Sequence, residues 1–440
     1  MRTPTQDDIL RALRGIIDPD FNKDIVTLGF VKNIRIDGDK AAFDIELTTP
    51  ACPVKDSFRR QAEEAVKSIQ GINQVFVTMT SAKRPQPQSL HAQSALRSVQ
   101  SIIAISSCKG GVGKSTVAAH LAAELAARGF RVGLCDTDIY GPSIPSLFNI
   151  NNVTITTNAQ RQLIPVEKNG LKIMSFGFLI GDAPAVMRGP IVSQYIQQIL
   201  HNTAWGELDY LFIDMPPGTG DVQLTITQTV QLAGAVIVTT PQTLSLIDVT
   251  RGILMFEKVN VPILGLIENM SYFLCDRCEH KHYIFGENSS RALNERFGIE
   301  LLAELPLMKK MIAPLDGSRG NDLIRQAADK VIMALGKNSI EQKQAPEVKM
   351  DKNAITLHWT NGDTVTVTNR DLRLSCQCAL CVNEMTGEKQ LTEEAVKPDI
   401  AAKEVIVLGN YAIGITWNDG HSSGIYPYKN IRKLAHAAKT

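Results

Sequence analysis

At 440 residues the chain exceeds one ordinary domain, and two to four are expected. With 44% hydrophobic and 21% charged residues it can bury real cores, while a net charge of +1 leaves no electrostatic footprint for nucleic acid or an anionic membrane surface. No apolar run reaches a membrane span, the first residues carry no apolar signal core, and five of the eight cysteines fall into two tight clusters that suit metal rather than disulfides, so a soluble, cytoplasmic protein is expected.

Residues 1–83 read as a small α/β unit in the order α-β-β-α-β. Asp7 or Asp8 can cap a helix that runs to Leu13, IRIDGDKAAFDIEL is a hairpin about Asp37-Gly38, a helix covers 54–69 and a last strand 74–80. The turn TTPACP sets Cys52 just before the second helix, where the helix terminus favours a thiolate; Cys52 is either a metal or cluster ligand or a small buried apolar residue. Residues 84–98 form a polar, proline-bearing linker.

The middle domain, 99–336, has short, nearly continuous apolar runs at 102–106, 131–135, 210–213, 235–239 and 263–267, separated by helical stretches. Strands covered on both faces read this way, and they predict a doubly wound parallel sheet with ligands beyond the strand carboxyl ends. There stands SIIAISSCKGGVGKST, a strand, a glycine-rich turn and a helix start. Gly110, Gly111, Val112 and Gly113 offer backbone N–H groups to an ATP phosphate chain, Lys114 meets the β- and γ-phosphates, and Ser115 can ligate Mg2+. Cys108 occupies the position usually held by the first glycine, as a small-residue replacement, and a second lysine, Lys109, heads the loop. Asp136 and Asp138 leave the second strand, Asp138 placed to orient the attacking water. Asp214 ends the third as an acid that holds Mg2+ through water, and Gly218 offers an N–H to the γ-phosphate. The competing role for these acids is to cap the next helix.

Cys275 and Cys278 form a C-x-x-C pair, half of a tetrahedral site. Three completions are open: His280 or His282 on zinc, a redox dithiol, or a second C-x-x-C across a homodimer axis holding a 4Fe-4S cluster. After a second linker at 337–350, residues 351–440 form a small β-rich domain with a hairpin about Asn361-Gly362. Cys376, Cys378 and Cys381 supply three thiolates, and His421 in a turn downstream completes a site for zinc, with an iron–sulfur cluster as second choice.

The loop K-G-G-V-G-K-S-T resembles the deviant phosphate loop of the MinD/ParA/nitrogenase-iron-protein class, which implies that Lys109 reaches across a dimer interface to the partner's nucleotide. With D-x-D-x-x-G-P-S, D-x-P-P-G-T-G-D and E-N-M-S followed by C-x-x-C and I-F-G, the middle domain resembles the Mrp/ApbC iron–sulfur carrier ATPases. The resemblance implies nucleotide contacts from Lys109, Gly110, Gly111, Gly113, Lys114, Ser115, Thr116, Asp136, Asp138 and Asp214, an adenine contact from Asn269, and a labile cluster bridged by Cys275 and Cys278 in a dimer. D-P-D, D-I-V-T-L-G and T-T-P-A-C-P resemble SufT/PaaD-like cluster-assembly domains, and C-x-C-x-x-C with the later D-G-H resembles the zinc-holding amino-terminal domain of gamma-butyrobetaine hydroxylase. This three-domain order and Cys108 are similar to a plastid branch of the carriers serving photosystem I, which generally lacks the C-x-x-C pair present here. The expected function is an ATP-hydrolysing iron–sulfur carrier whose partners are a second copy, assembly factors and apo client proteins, without nucleic acid or membrane. The competing readings are a MinD/ParA-like positioning ATPase and a redox ATPase akin to the nitrogenase iron protein.

Overall fold

The computed structural model describes residues 4–19, 21, 23–51, 54–81, 95–151, 153–180, 189–218, 220–241, 244–259, 261–275, 277–278, 280–286, 294, 298–307, 315, 322–341, 346–359, 362–376, 381–382, 388–408, 412–421 and 424–437. The chain divides into two compact units, one of residues 1–92 with 328–340, the other of residues 93–327 with 341–440. Cys52, Cys378 and Asn361 lie outside the described residues.

In the first unit, helix α1 (Gln6–Leu13) begins at Thr5, whose hydroxyl accepts from the Asp8 N–H while the Asp8 carboxylate accepts from the Thr5 N–H. This capping box corrects the expected cap: Asp8 serves at the third helical position and the shorter threonine takes the cap. A two-residue ladder, β1 (Ile17–Asp18) with β2 (Lys23–Asp24), precedes the hairpin of β3 (Val31–Asp37) and β4 (Lys40–Leu47). The alternation of β4 sends Ala41, Phe43, Ile45 and Leu47 into the core. Helix α2 (Lys55–Lys67) lays Phe58, Ala62 and Val66 along one stripe over the sheet and returns the chain to β5 (Gln74–Ser81), parallel to β4.

The second unit is built on an eight-stranded sheet containing β6 (Val99–Ser106), β7 (Val132–Asp136), β8 (Val166–Lys168), β9 (Leu171–Ser175), β10 (Leu208–Asp214), β11 (Gly234–Thr239), β12 (Ile263–Glu268) and, after the small β13 (Phe273–Leu274) and β14 (Lys281–His282), β15 (Leu301–Glu304). Its order is β15-β12-β11-β6-β10-β7-β9-β8, and every pairing is parallel except β8 with β9. The five expected strands are its centre; β8, β9 and β15 add the edges. Strands β6, β10 and β11 are buried almost throughout. Helix α3 (Lys114–Ala127) packs on β6, β7, β10 and β11, and α8 (Leu244–Lys258) on β11; α4 (Ile144–Leu147), α5 (Phe176–Ile180), α6 (Gly189–His201) and α7 (Asp221–Thr229) complete the helices of this sheet. Parallel pairing aligns the carboxyl ends of β6, β7, β10 and β12 on one edge, and the loops leaving that edge carry the sequence motifs.

The stretch 337–350, expected as a linker, instead holds the end of the long helix Asp322–Glu341 and strand β16 (Glu347–Met350). Lys337 is exposed but Asn338 is buried on that helix, and β16 is a largely exposed edge strand, so polar composition alone does not separate this stretch from a linker. Strand β16 pairs with β17 (Ala354–His358), and β17 with β18 (Thr364–Thr368). A second antiparallel sheet joins β19 (Ala402–Leu408), β20 (Ala412–Trp417) and β21 (Gly424–Pro427), around a core containing Trp417, Ile413 and Leu357. Among the described residues no helix is long and apolar enough to cross a membrane.

Candidate functional site

The glycine-rich loop joins β6 to α3 and is closed by hydrogen bonds from two sides. The Gly218 N–H donates to the Ser107 carbonyl at 2.9 Å, and the Asn269 side-chain amide donates to the Val112 carbonyl at 2.9 Å. Gly113 has φ +80°, and a Cβ there would stand 2.2 Å from Asn269 Nδ2, so both the backbone turn and the approach of Asn269 require glycine. Gly110 and Gly111 are exposed, while Lys109, Ser115 and Thr116 are half-buried around them.

Lys114, the first residue of α3, is buried, and its ammonium lies 2.5 Å from Asp214 Oδ1 and 3.1 Å from Ser115 Oγ. The second Asp214 oxygen is buried without a hydrogen-bond partner. Burial pushes the Asp214 carboxyl above its usual range, and the Lys114 ammonium works against that rise. An orphaned carboxylate oxygen beside a buried ammonium, at the start of a helix and under exposed glycine amides, fits a polyphosphate with a divalent cation.

Asp136 ends β7 fully buried and fully used: Oδ1 accepts from the Asp138 N–H, and Oδ2 from the Ile144 N–H and the Ser175 hydroxyl. Burial, then the nearby Asp214 carboxylate, pushes its pKa up to about 7. Asp138 is buried and accepts from the Gly141 N–H at 3.2 Å. Asp136 therefore ties down the loop after β7, the capping role weighed against a direct phosphate contact. Sequence reasoning passed over Gln223, which is buried on α7 and donates to the Pro216 carbonyl at 2.6 Å. The available signal was a glutamine in helical register with Ile226 and Thr227, both buried.

Beyond β12, Asn269 leads into the hairpin of β13 and β14, where the Cys275 N–H donates to the His280 carbonyl at 3.0 Å. Cys275 is half-buried and Cys278 exposed. His280 and His282 lie edge to face with ring centroids 4.9 Å apart. Among the described residues they do not converge with the two cysteines into a metal-ligating group, so the zinc completion through histidine is not assembled here. Phe273, Ile284, Phe285 and Leu307 surround this hairpin as exposed apolar side chains.

In the carboxyl-terminal part, Cys376, Cys381 and His421 do converge. His421 Nε2 stands 3.3 Å from Cys376 Sγ and 3.9 Å from Cys381 Sγ. A zinc ion at 2.3 Å from sulfur and 2.0–2.1 Å from nitrogen sets tetrahedral ligand atoms about 3.6 Å apart, so this donor set fits one mononuclear ion. Burial raises the Asp419 carboxyl, but the His421 N–H and the Arg373 guanidinium outweigh it and hold Asp419 below the usual range.

Residues 98–341 match the family described as NUBPL iron-transfer P-loop NTPase, residues 6–79 an iron–sulfur cluster assembly protein family, and residues 347–432 the gamma-butyrobetaine hydroxylase-like amino-terminal family. The chain is 41% identical to the chloroplastic Fe-S cluster assembly factor HCF101 of Arabidopsis thaliana, over 98% of this chain and 83% of the relative. It is 44% identical to an iron-sulfur cluster carrier protein of Synechocystis over 69% of this chain and 87% of that one. Among solved structures, a nucleotide-binding protein from Archaeoglobus fulgidus in complex with ADP is 38% identical over 54% of this chain and 90% of its own, with a TM-score of 0.45. By the extent of the first match and the near full-length identity to HCF101, the chain belongs to the NUBPL-type iron-transfer P-loop NTPases.

Proposed function

We propose that the chain is an ATP-hydrolysing carrier that takes a 4Fe-4S cluster as cargo between two copies of itself and delivers it to apo client proteins. The observation that carries this is Asn269: its amide holds the Val112 carbonyl of the phosphate loop, and six residues later on the same segment stands Cys275. A nucleotide that moves the loop thereby pulls on the segment that bears the thiol pair.

Each residue takes a definite part. Ser115 Oγ and the unpartnered Asp214 Oδ2 are the groups to hold Mg2+, which offsets charge on the β- and γ-phosphates. Lys114 exchanges its Asp214 contact for phosphate oxygens, Thr116 and the amides of Gly110, Gly111, Val112 and Gly113 line the anion, and Asp138 orients water. Gly218 cannot donate its one N–H to Ser107 and to a γ-phosphate together, so nucleotide occupancy releases the loop after β10. Lys109 reaches the nucleotide of the second copy. Cys275 and Cys278 of each copy supply the four thiolates of the cargo site, and the exposed apolar side chains around the hairpin suit burial against that copy. Residues 1–83, 99–336 and 351–440 act as three domains, the last holding zinc at Cys376, Cys378, Cys381 and His421, in a reducing compartment such as the cytoplasm.

The test is anaerobic reconstitution with iron and sulfide, followed by transfer to an apo acceptor. The Cys275→Ser/Cys278→Ser variant is expected to bind ATP normally yet to lose the cluster absorbance in the visible range and all transfer. Loading and transfer at the wild-type level by this variant would remove the cargo site.

A further inference from the structure

Among the described residues, the sulfurs of Cys381 and Cys376 are each met by a donor from another element. Arg373, on the helix Asn369–Leu374, is 6% exposed, and its Nη1 donates to Cys381 Sγ at 3.3 Å. Its Nε donates to Asp419 Oδ2 at 2.8 Å, and the other Asp419 oxygen accepts the backbone N–H of His421 at 2.9 Å. On the opposite side Tyr426 of β21 shares a hydrogen bond with Cys376, and its hydroxyl accepts from Trp417 Nε1 at 2.9 Å. With its oxygen occupied by that indole N–H, the phenol proton is directed at sulfur. The backbone N–H of Trp417 donates to the His421 carbonyl at 2.8 Å, so the backbone of the imidazole ligand is held from both sides of its own residue.

We infer that Arg373 and Tyr426 are positioning residues of this metal site, Arg373 as its built-in counter-charge and Tyr426 as the donor that orients Cys376. The inference rests on the reading of the site as a mononuclear centre of three cysteines and one histidine. Three thiolates and a neutral imidazole around a divalent ion leave one net negative charge. In this buried setting that charge needs a cation or strong hydrogen bonds, and Arg373 supplies both at one sulfur. Arg373 is the buried arginine of this core, and an ion pair needed only to brace the turn before His421 would not require its second arm on sulfur. The arginine fork couples the two halves of the site: one arm on a ligand from the cysteine loop, the other on the carboxylate that fixes the histidine loop.

The experiment uses the full-length chain carrying Cys275→Ser/Cys278→Ser, so that the carboxyl-terminal thiols dominate the signal, with Co2+ as the optical probe and Zn2+ competed against a chelator. Arg373→Met is expected to weaken Zn2+ binding roughly 10- to 100-fold, with partial recovery in Arg373→Lys, which restores the charge without the fork. Tyr426→Phe keeps the ring in the core and deletes one hydroxyl; its thiolate-to-cobalt band is expected to move to lower energy, because a thiolate without its donor gives up charge more readily. A purely structural role predicts lower thermal stability of the metal-free variants with unchanged band energy and unchanged Zn2+ affinity, and that result overturns the inference. A parent chain with no thiolate-to-cobalt band at all removes the metal reading itself, and the inference with it.

Discussion

At the scale of single residues, the acids after β7 and β10 divide their work: Asp136 accepts backbone N–H groups of the loop that follows it, and Asp214 pairs with the Lys114 ammonium. Their positions at strand ends were legible, because an apolar run that stops at an aspartate marks the sheet edge where ligands bind. Their division of labour was not, since the partners that decide it come from far along the chain: Ser175 meets Asp136 from β9, and Lys114 meets Asp214 from α3. Asp136 also carries a pH signature. Its folded pKa is raised to about 7 from 3.8, so the folded chain keeps a proton that the unfolded chain releases. Its contribution to stability is therefore whole below the unfolded value and is lost as pH rises through the folded one. Urea unfolding of wild type and Asp136→Asn, without nucleotide, is expected to show the variant gaining on wild type by on the order of 1–3 kcal/mol between about pH 5 and about pH 8, and levelling above. A constant difference across that range would mean that Asp136 titrates as an ordinary surface acid.

At the scale of elements, the central strands were legible from their unbroken apolar runs, whereas the edges were not. Strands β8 and β9 form a hairpin about Asn169-Gly170, both with positive φ, a turn signal embedded in a charged stretch that hid the short strands. Strand β15 has four residues, too few for periodicity to register. The contact that explains Cys108 was equally out of reach. A Cβ on Gly252 of α8 would stand 2.4 Å from Cys108 Sγ, so the cysteine that replaces the usual loop glycine fills space that α8 leaves by having a glycine of its own. Gly252→Ala raises helix propensity by up to about 1 kcal/mol, yet the overlap is expected to exceed this and to loosen the phosphate loop. Cys108→Ala removes the sulfur, so the double variant should regain stability and ATP affinity, with a coupling of about 0.5–3 kcal/mol in a double-mutant cycle. Additive effects of the two changes, by thermal unfolding and nucleotide titration, would separate the loop from α8.

At the scale of the molecule, the proposed cargo site supplies two thiolates from each chain, and this makes stoichiometry the sharpest test. Cys275 and Cys278 stand on a surface hairpin among exposed apolar side chains, with no third ligand converging on them among the described residues. A pair of thiolates belonging wholly to one chain would load in proportion to the amount of intact chain. Thiolates shared about a two-fold axis load only where both copies are intact. Wild type is therefore mixed with the Cys275→Ser/Cys278→Ser variant under conditions that exchange subunits, and the mixture is reconstituted with iron and sulfide. At equal amounts, random pairing leaves about one quarter of the dimers with four thiolates, so the cluster bound is expected to follow the square of the wild-type fraction. ATP-locked dimers formed before mixing give an internal control: without exchange the same mixture should load about one half, because the intact pairs are never diluted. Linear dependence in the exchanging mixture would place the whole site within one chain, and the role of Lys109 across the interface would then need a different dimer from the one that carries the cluster.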